Sequence, residues 1–215
     1  GAVLLGVLDT DQAAATRFGQ AWEVPAAFDL ASALARCEPR LAIVCAPPST
    51  HESLTISLLD RGVAVLCEKP FALGAGSAQR MLDAAGRSGL VATMASKFRF
   101  VDDVTALRSF ISAGTLGEPL LAQNVFSAPV DMSDRWNANR EVSGGGVLID
   151  NATHSVDLVR YVLGPISEVL ATELPRVQPL AVEDTAKILA RTARGALADI
   201  VVSWTLDRRL DGFLW

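Results

Sequence analysis

The feature that most constrains the fold of this chain is a regular alternation, in its first half, of short apolar runs with segments of helical spacing. The apolar runs at residues 2–8, 41–45 and 63–67 are each followed within two residues by an acid or a proline. Continuous apolar runs of this length are typical of strands that are buried on both faces of a parallel sheet. The alternation therefore predicts βαβ units and an α/β fold with a doubly wound parallel sheet.

Helices are expected between these strands, and a further strand is expected at residues 91–95. Thr10 is a fair N-cap for the first helix, and Gly19, Gly62 and Gly89 mark helix ends. The predicted helices cover residues 10–20, 28–36, 51–61 and 77–88. In sheets of this kind, ligands bind beyond the carboxyl ends of the strands. The loops that follow the predicted strands are therefore expected to carry a functional site.

The pattern changes near residue 97, where hairpin-linked strands replace the alternation. The expected helices are residues 104–113 and 147–163, and the expected strands are residues 119–127, 167–174, 185–192 and 196–204. Strands joined by hairpins, with helices apart from them, indicate an α+β domain with an open antiparallel sheet. We therefore expect two domains, at residues 1–97 and 98–215.

The composition of the chain argues against several classes of partner. Its 215 residues carry a net charge of −5 and no cluster of lysine and arginine, so nucleic acid is not an expected partner. No apolar run approaches the roughly 18 residues of a membrane-spanning helix, so no membrane contact is expected. Three scattered cysteines and two histidines argue against a disulfide framework and against a metal site. A reduced, cytoplasmic setting is the expectation that follows.

Three motifs combine side chains that suit catalysis or cofactor binding. The first, Cys45-Ala46-Pro47-Pro48-Ser49-Thr50-His51, makes a rigid turn directly after a strand. The second, Glu68-Lys69-Pro70, holds a lysine at a strand tip, where it can act as a hydrogen-bond donor or a catalytic cation. The third follows the glycine triplet at 144–146 and places Asp150, His154 and Asp157 on one helical face. A histidine exchanges a proton near neutral pH, and a nearby carboxylate can orient it.

Each motif also has a purely structural interpretation. The first fits an ordinary strand-to-helix turn that is capped by Ser49 or Thr50. The second fits a solvated pair of Glu68 and Lys69. The third fits an acid that the helix dipole favours, followed one turn later by a hydrogen-bonded structural histidine.

Taken together, the motifs resemble those of the glucose-fructose oxidoreductase/inositol dehydrogenase (Gfo/Idh/MocA) family of NAD(P)-dependent oxidoreductases. The resemblance covers nearly all of the chain and is most specific in Glu68-Lys69-Pro70 and in the Asp150/His154 pair. Further matches are Asp9, Lys97-Phe98-Arg99-Phe100 and Glu183-Asp184-Thr185. The resemblance implies a Rossmann-like N-terminal domain that binds the cofactor. It also implies a C-terminal α+β domain whose open sheet forms a homo-oligomer interface.

The resemblance also assigns site residues by position. The implied catalytic residues are Lys69, Asp150 and His154, and the implied cofactor-binding residues are Asp9, Thr10, Ala46, Pro47, Ser49, His51 and Glu68. Arg99 and Trp136 are implied for substrate binding, and no metal is expected. Two positions depart from the family pattern, because Ala46 stands where a threonine is common and Ala152 stands where a glycine is frequent.

Asp9 bears on the choice of cofactor. An acid at this strand tip accepts from the 2′-hydroxyl of an adenine ribose and repels a 2′-phosphate, so NAD is expected in preference to NADP. In such folds the acid lies about 20 residues after the start of a G-x-G-x-x-G loop. Only eight residues precede Asp9, so we expect the first strand and the Gly-rich loop to be missing and the chain to be incomplete at both ends.

The expected function is hydride transfer between NAD and a carbinol or carbonyl carbon of a sugar, polyol or sugar derivative. His154 would act as general base, oriented by Asp150, while Lys69 donates to the same oxygen. Two alternatives stay open, namely an NAD-dependent glycosidase of the same fold and a non-catalytic nucleotide-binding sensor.

Overall fold

The computed structural model describes residues 1–208 and 211–214 of the chain. Residues 209, 210 and 215, which the second predicted domain includes, lie outside the described residues. The N-terminal half alternates strands and helices, as the sequence predicts. Its elements are β1 (Val7–Leu8), α1 (Gln12–Trp22), β2 (Ala26–Ala27), α2 (Leu30–Cys37), β3 (Leu41–Val44), α3 (His51–Leu59), β4 (Ala64–Cys67), α4 (Ala75–Ser88) and β5 (Ala92–Met94).

The N-terminal strands pair in parallel. β1 pairs with β2, and β3, β4 and β5 form a second sheet in that order. β4 is central, and its Val65 and Cys67 are fully buried in a core that α3 and α4 share. Because these strands run the same way, their carboxyl ends, at Val44, Cys67 and Met94, lie at one edge of the sheet. The loops that follow β3 and β4 therefore start side by side.

The first two predicted strands are less buried than their sequences indicate. Within the run at 2–8, only Val7 and Leu8 pair with a neighbour, the short strand β2 that the sequence pattern did not reveal. Residues 2–5 of that run are exposed. In β3 the side chain of Ile43 is 63% exposed, because this edge strand packs only its Ala42 and Val44 face against the core. The expectation of burial on both faces is therefore wrong for these two runs in the described structure.

Local capping sets the ends of α1. Asp11, not Thr10, is its N-cap, since the Asp11 carboxylate accepts two backbone N–H groups of the first turn at 2.9 and 3.1 Å. Gly19 lies inside α1 instead of closing it. A Cβ at that position would meet the carbonyl oxygen of Val24 at 2.8 Å, so the glycine allows the following chain to approach the helix. Gly89 closes α4 in the left-handed conformation, as predicted.

The C-terminal half combines helices with one four-stranded sheet. Its elements are α5 (Asp102–Ser112), β6 (Leu121–Ser127), α6 (Arg140–Ser143), α7 (Thr153–Leu163), β7 (Ile166–Glu173), β8 (Thr185–Thr192) and β9 (Leu197–Ser203). The order in the sheet is β6-β9-β8-β7. β7, β8 and β9 are antiparallel neighbours, and the predicted hairpin joins the last two.

The open sheet is mixed rather than wholly antiparallel, because β6 pairs in parallel with β9. The chain between these two strands passes through α6, α7, β7 and β8, and so long a connection permits parallel pairing. The predicted class, a parallel α/β half followed by an α+β half with an open sheet, is confirmed.

One face of the mixed sheet carries the second core. Ile200 of β9 and Ala186 of β8 are fully buried, and Val159 of α7 packs into the same cluster. The opposite face is open, and Leu170 of β7 is 70% exposed there. The sheet thus fixes α7 from one side and leaves its own outer face uncovered in this chain.

The helices of the fold are short. α4 has 14 residues, and no helix in the described part of the chain is long and apolar enough to cross a membrane.

Candidate active site

The loop after β4 carries the first candidate residue, Lys69. The N–H of Glu68 donates to the carbonyl oxygen of Val44 at 2.8 Å, which continues the pairing of β3 with β4. The N–H of Lys69 donates to Oε2 of Glu68 at 3.0 Å, and the Lys69–Pro70 peptide bond is cis. Glu68 therefore binds its own loop, while the side chain of Lys69 reaches toward the C-terminal half.

Lys69 meets Asp150 across the two halves of the chain. Its Nζ donates to Oδ1 of Asp150 and, at 3.3 Å, to the main-chain carbonyl oxygen of the same residue. The two side chains are only 23% and 19% exposed. Solvent and salt screen such a pair less than they screen a surface pair. The fold thus brings together two predicted catalytic residues that lie 81 positions apart in the sequence.

Asp150 lies in a π-helical turn, Leu148–Ala152, directly before α7. The sequence predicts one regular helix over residues 147–163, whereas the first turn of that segment is wound more widely. Single π turns of this kind are frequent at functional sites.

A buried carboxylate fixes the start of this helix. Oε1 of Glu183 accepts the N–H groups of Gly146 and Leu148 at 2.9 and 3.1 Å, and the Glu183 carbonyl oxygen accepts the N–H of Val147 at 2.9 Å. Such N–H groups have no partner within the helix, and a carboxylate there also suits the helix dipole. From the sequence, Glu183 is only part of a family motif, because an acid before a strand does not show which helix it will cap.

The glycine triplet leaves the room that this cap needs. A Cβ at Gly146 would lie 2.0 Å from the carbonyl oxygen of Glu183, whereas a Cβ at Gly145 would come no closer than 3.4 Å to its nearest neighbour, an atom of Ile149. Close approach of two backbones therefore requires glycine at position 146.

The imidazole of His154 packs against phenylalanine rings. The ring of Phe98 meets the imidazole edge to face, with ring centroids 4.9 Å apart, and the ring of Phe126 lies 6.3 Å away. Phe213 stacks on Phe126 at 5.3 Å and extends this apolar wall. The three phenylalanines lie on three separate segments, so the sequence offers no local pattern that would group them.

The surroundings of His154 keep its imidazole uncharged. Burial, followed by the ammonium groups of Lys69 and Lys97, lowers the pKa of His154 to about 4, and the carboxylates of Asp150 and Glu68 offset this only in part. Both main causes disfavour the charged form. The ring is therefore neutral near pH 7 and can accept a proton.

The expected orientation of His154 by Asp150 is not what the structure shows. The Asp150 carboxylate binds the Lys69 ammonium instead, and no hydrogen bond between Asp150 and His154 occurs within the described residues. The imidazole instead contacts the rings of Phe98 and Phe126.

Asp157, predicted on the same helical face, binds Arg99. The Arg99 Nε donates to Oδ2 of Asp157 at 2.9 Å, and a second guanidinium N–H donates to Oδ1. Paired bonds of this kind are strong and directional. The pair joins the short 3₁₀ segment Lys97–Phe100 to α7, which places Phe98 beside His154. Arg99 thus has a structural partner, and its predicted contact with substrate stays a prediction.

His51, predicted to contact the cofactor, is fully buried beneath the two loops. Its Nδ1 lies 2.8 Å from the carbonyl oxygen of Pro70, and its Nε2 lies 2.8 Å from that of Ala46. An imidazole with both nitrogens on backbone carbonyl groups is not available to a ligand. A lone histidine at the start of a helix gives no sign in the sequence that it will be buried.

The other predicted cofactor residues lie at the ends of strands. Asp9 and Thr10 follow β1, and Ala46, Pro47 and Ser49 follow β3. All are exposed except Ala46, which is half-buried, so a ligand can reach them.

Trp136, predicted for the substrate pocket, has no hydrogen bond or ring contact with the three candidate catalytic residues in the described part of the chain. It begins the 3₁₀ helix Trp136–Ala138 and is 47% exposed. In residues 1–208 and 211–214, no hydrogen bond or ring contact joins it to Lys69, Asp150 or His154. Its role in binding therefore stays a prediction.

Among the described residues there is no group of three or more His, Cys, Asp or Glu that could hold a metal ion. Burial raises the pKa of the Cys67 thiol to about 11, which keeps it protonated and unreactive.

Comparison with known proteins identifies the family. The model of an oxidoreductase family with an NAD-binding Rossmann fold matches residues 1–96, and the model of the GFO/IDH/MocA C-terminal domain matches residues 104–213. The chain belongs to the Gfo/Idh/MocA family. The family resemblance of the sequence motifs is thereby confirmed.

Individual members of the Gfo/Idh/MocA family show the same relationship. D-Glucoside 3-dehydrogenase of Escherichia coli (strain K12) is 34% identical over 161 residues, which cover 73% of this chain and 44% of that protein. The structure of GenD2 from gentamicin A biosynthesis, in complex with NAD, has a TM-score of 0.88 at 27% identity and covers 95% of this chain and 59% of that one. Levoglucosan dehydrogenase, in complex with NADH and levoglucosan, has a TM-score of 0.91 at 21% identity, with 99% and 61% of the two chains covered. The chain spans about half the length of the curated relatives it matches.

We expect Gly146→Ala to destabilise the fold by about 3 kcal/mol or more, because the new methyl group would collide with the backbone of Glu183. Gly145→Ala is the matched control, and we expect it to cost less than about 1 kcal/mol. Urea unfolding of both variants measures this difference. Equal stability of the two variants would contradict the close approach described here.

We expect the imidazole of His154 to titrate with a midpoint of about 4, because burial and two nearby ammonium groups disfavour its protonation. Lys69→Met removes one of these charges and should move the midpoint upward, whereas Arg194→Met, at an exposed ion pair with Glu118, should leave it unchanged. Histidine ring signals followed by NMR against pH, and assigned with His154→Gln, measure both values. A midpoint at the ordinary value of about 6.5 in the unchanged protein would contradict this environment.

Proposed function

We propose that the protein is an NAD-dependent oxidoreductase that transfers a hydride between the cofactor and a carbinol or carbonyl carbon of a sugar, polyol or sugar derivative. The observation that carries this proposal is the contact of Lys69 with Asp150 beside His154, which joins groups from the two halves of the chain. The relatives named D-glucoside 3-dehydrogenase and levoglucosan dehydrogenase support a sugar-like substrate.

The residues at the ends of the strands fit an NAD molecule. The exposed carboxylate of Asp9, with Thr10 beside it, suits the hydroxyls of an adenosine ribose and disfavours a 2′-phosphate. At the nicotinamide end, the cofactor would be lined by Ala46, Pro47, Ser49 and Glu68. A bound nicotinamide would supply the acceptor or donor of the hydride. In this proposal residues 1–97 carry the cofactor, and residues 98–215 carry the substrate and oligomer surfaces.

The side chains of the site divide the proton chemistry between them. In the direction of oxidation, neutral His154 takes the proton of the substrate hydroxyl. Lys69 donates to the same oxygen and stabilises the negative charge that develops on it. Asp150 holds the Lys69 ammonium in position. The wall of Phe98 and Phe126 keeps water from one side of the imidazole.

The proposal includes a homo-oligomer that forms through the outer face of the mixed sheet. Three leucines on this face, on three different strands, are at least 39% exposed, namely Leu121, Leu170 and Leu189. Leu170 and Leu189 are cross-strand partners, and adjacent apolar side chains on an open sheet face are typical of an interaction surface. We also propose a cytoplasmic location, because Cys37, Cys45 and Cys67 are all free thiols.

The test is turnover of the intact protein with NAD and a panel of aldoses, glycosides and inositols, followed by the absorbance of NADH. We expect reduction of NAD with at least one sugar or polyol. His154→Gln and Lys69→Met should each lower the rate by about 10²–10⁴-fold, because each removes a group that handles the proton or the developing charge. Arg194→Met is the control with unchanged activity, since its ion pair with Glu118 is exposed.

Two other results would replace this proposal with its alternatives. Release of an aryl leaving group from a glycoside, without net formation of NADH, would identify an NAD-dependent glycosidase. Binding of NAD without turnover of any member of the panel would identify a nucleotide-binding sensor.

A further inference from the structure

We propose that His51 is a positioning residue, which fixes Lys69 by clamping together the loops that leave β3 and β4. The proposal rests on the proposed function only for its effect on turnover, since the clamp itself is a property of the fold. His51 is fully buried and has no contact with solvent. None of the hydrogen bonds described for it reaches the side chain of Lys69, Asp150 or His154.

The clamp is visible in two contacts of equal length. Nε2 of His51 faces the carbonyl oxygen of Ala46 at 2.8 Å, and Nδ1 faces that of Pro70 at 2.8 Å. Ala46 lies in the loop after β3, whose exposed residues are proposed to line the cofactor. Pro70 directly follows Lys69. One rigid ring therefore spans the gap between the two loops.

Lys69 is held on each side of its backbone. On its N-terminal side, the Glu68 carboxylate accepts the Lys69 N–H at 3.0 Å. On its C-terminal side, the contact of His51 with Pro70 fixes the next carbonyl group. The side chain of Lys69 thus reaches Asp150 from a backbone that is bonded on both sides. A misplacement of about 1 Å at a catalytic group can cost roughly 10²-fold in rate, so such a support matters for turnover.

Histidine suits this position for a geometrical reason. Its two nitrogens lie on different edges of a flat, rigid ring, and when both carry a proton each donates to the carbonyl group that it faces. A glutamine carries both of its N–H groups on one nitrogen, so it can reach one loop but cannot bridge both in the same way. A leucine fills similar space and offers no donor to either carbonyl group.

The first test is backbone hydrogen exchange, followed by mass spectrometry, on the intact protein without substrate. In His51→Leu we expect faster exchange in both loops, residues 45–50 and 68–73, than in the unchanged protein. His51→Gln should give a smaller increase, and it carries the test if His51→Leu does not fold. Leu58→Ala, a core change in the same helix, is the control. It should destabilise α3 without selective exchange in the two loops.

The second test is a double-mutant cycle on turnover. His51→Gln should lower kcat by about tenfold when Lys69 is present, and by less than about twofold in the Lys69→Met background. A role in general stability alone would give the same loss in both backgrounds.

The proposal is overturned if the two loops exchange no faster in either His51 variant than in the Leu58→Ala control. It is also overturned if the losses in the cycle are additive. Because hydrogen exchange does not depend on activity, an inactive protein would refute the proposed function and still decide the role of His51.

Discussion

The ion pair of Lys69 with Asp150 is the contact through which the two halves of this chain act as one site. It can form only if two separate supports hold. The loop after β4 must present Lys69, which the Glu68 carboxylate and the buried His51 ring secure. The start of α7 must present Asp150, which the cap by Glu183 and the close packing at Gly146 secure. Each support includes a buried side chain that contacts backbone groups, His51 in the first and Glu183 in the second. The geometry of the pair therefore follows from contacts within the core of the fold.

The same pair explains the electrostatics of the site. Burial is the main cause that keeps His154 neutral, and the Lys69 ammonium, which Asp150 binds, is the next. A neutral imidazole has a free nitrogen that can accept the proton of a hydroxyl, and the cation beside it stabilises the negative charge that develops on the same oxygen. Asp150 thus acts through Lys69 rather than by orienting His154. The rings of Phe98 and Phe126 contact the imidazole instead, and the Arg99–Asp157 pair joins the segment of Phe98 to α7.

Patterns within one element predict this structure well, and contacts between distant segments do not follow from them. The alternation of apolar runs and helical segments predicts the parallel strands, and β8 has the predicted bounds. The two motifs that match the family most specifically, Glu68-Lys69-Pro70 and Asp150/His154, lie together as expected. The prediction that β3 is buried on both faces is wrong, because an apolar run does not show that its strand lies at the edge of a sheet. The parallel pairing of β6 and the cap by Glu183 join residues far apart in the sequence, and the contacts of His51 join the loops of two different strands. No local spacing encodes these contacts.

The most direct measurement of the central claim is a crystal structure of the intact protein with NADH and a bound sugar or polyol that it turns over. Lys69 Nζ and a ring nitrogen of His154 should both lie within about 3 Å of one and the same substrate oxygen. A substrate whose reacting oxygen touches neither group, or is met by Lys69 alone with His154 turned away behind Phe98, would contradict the account.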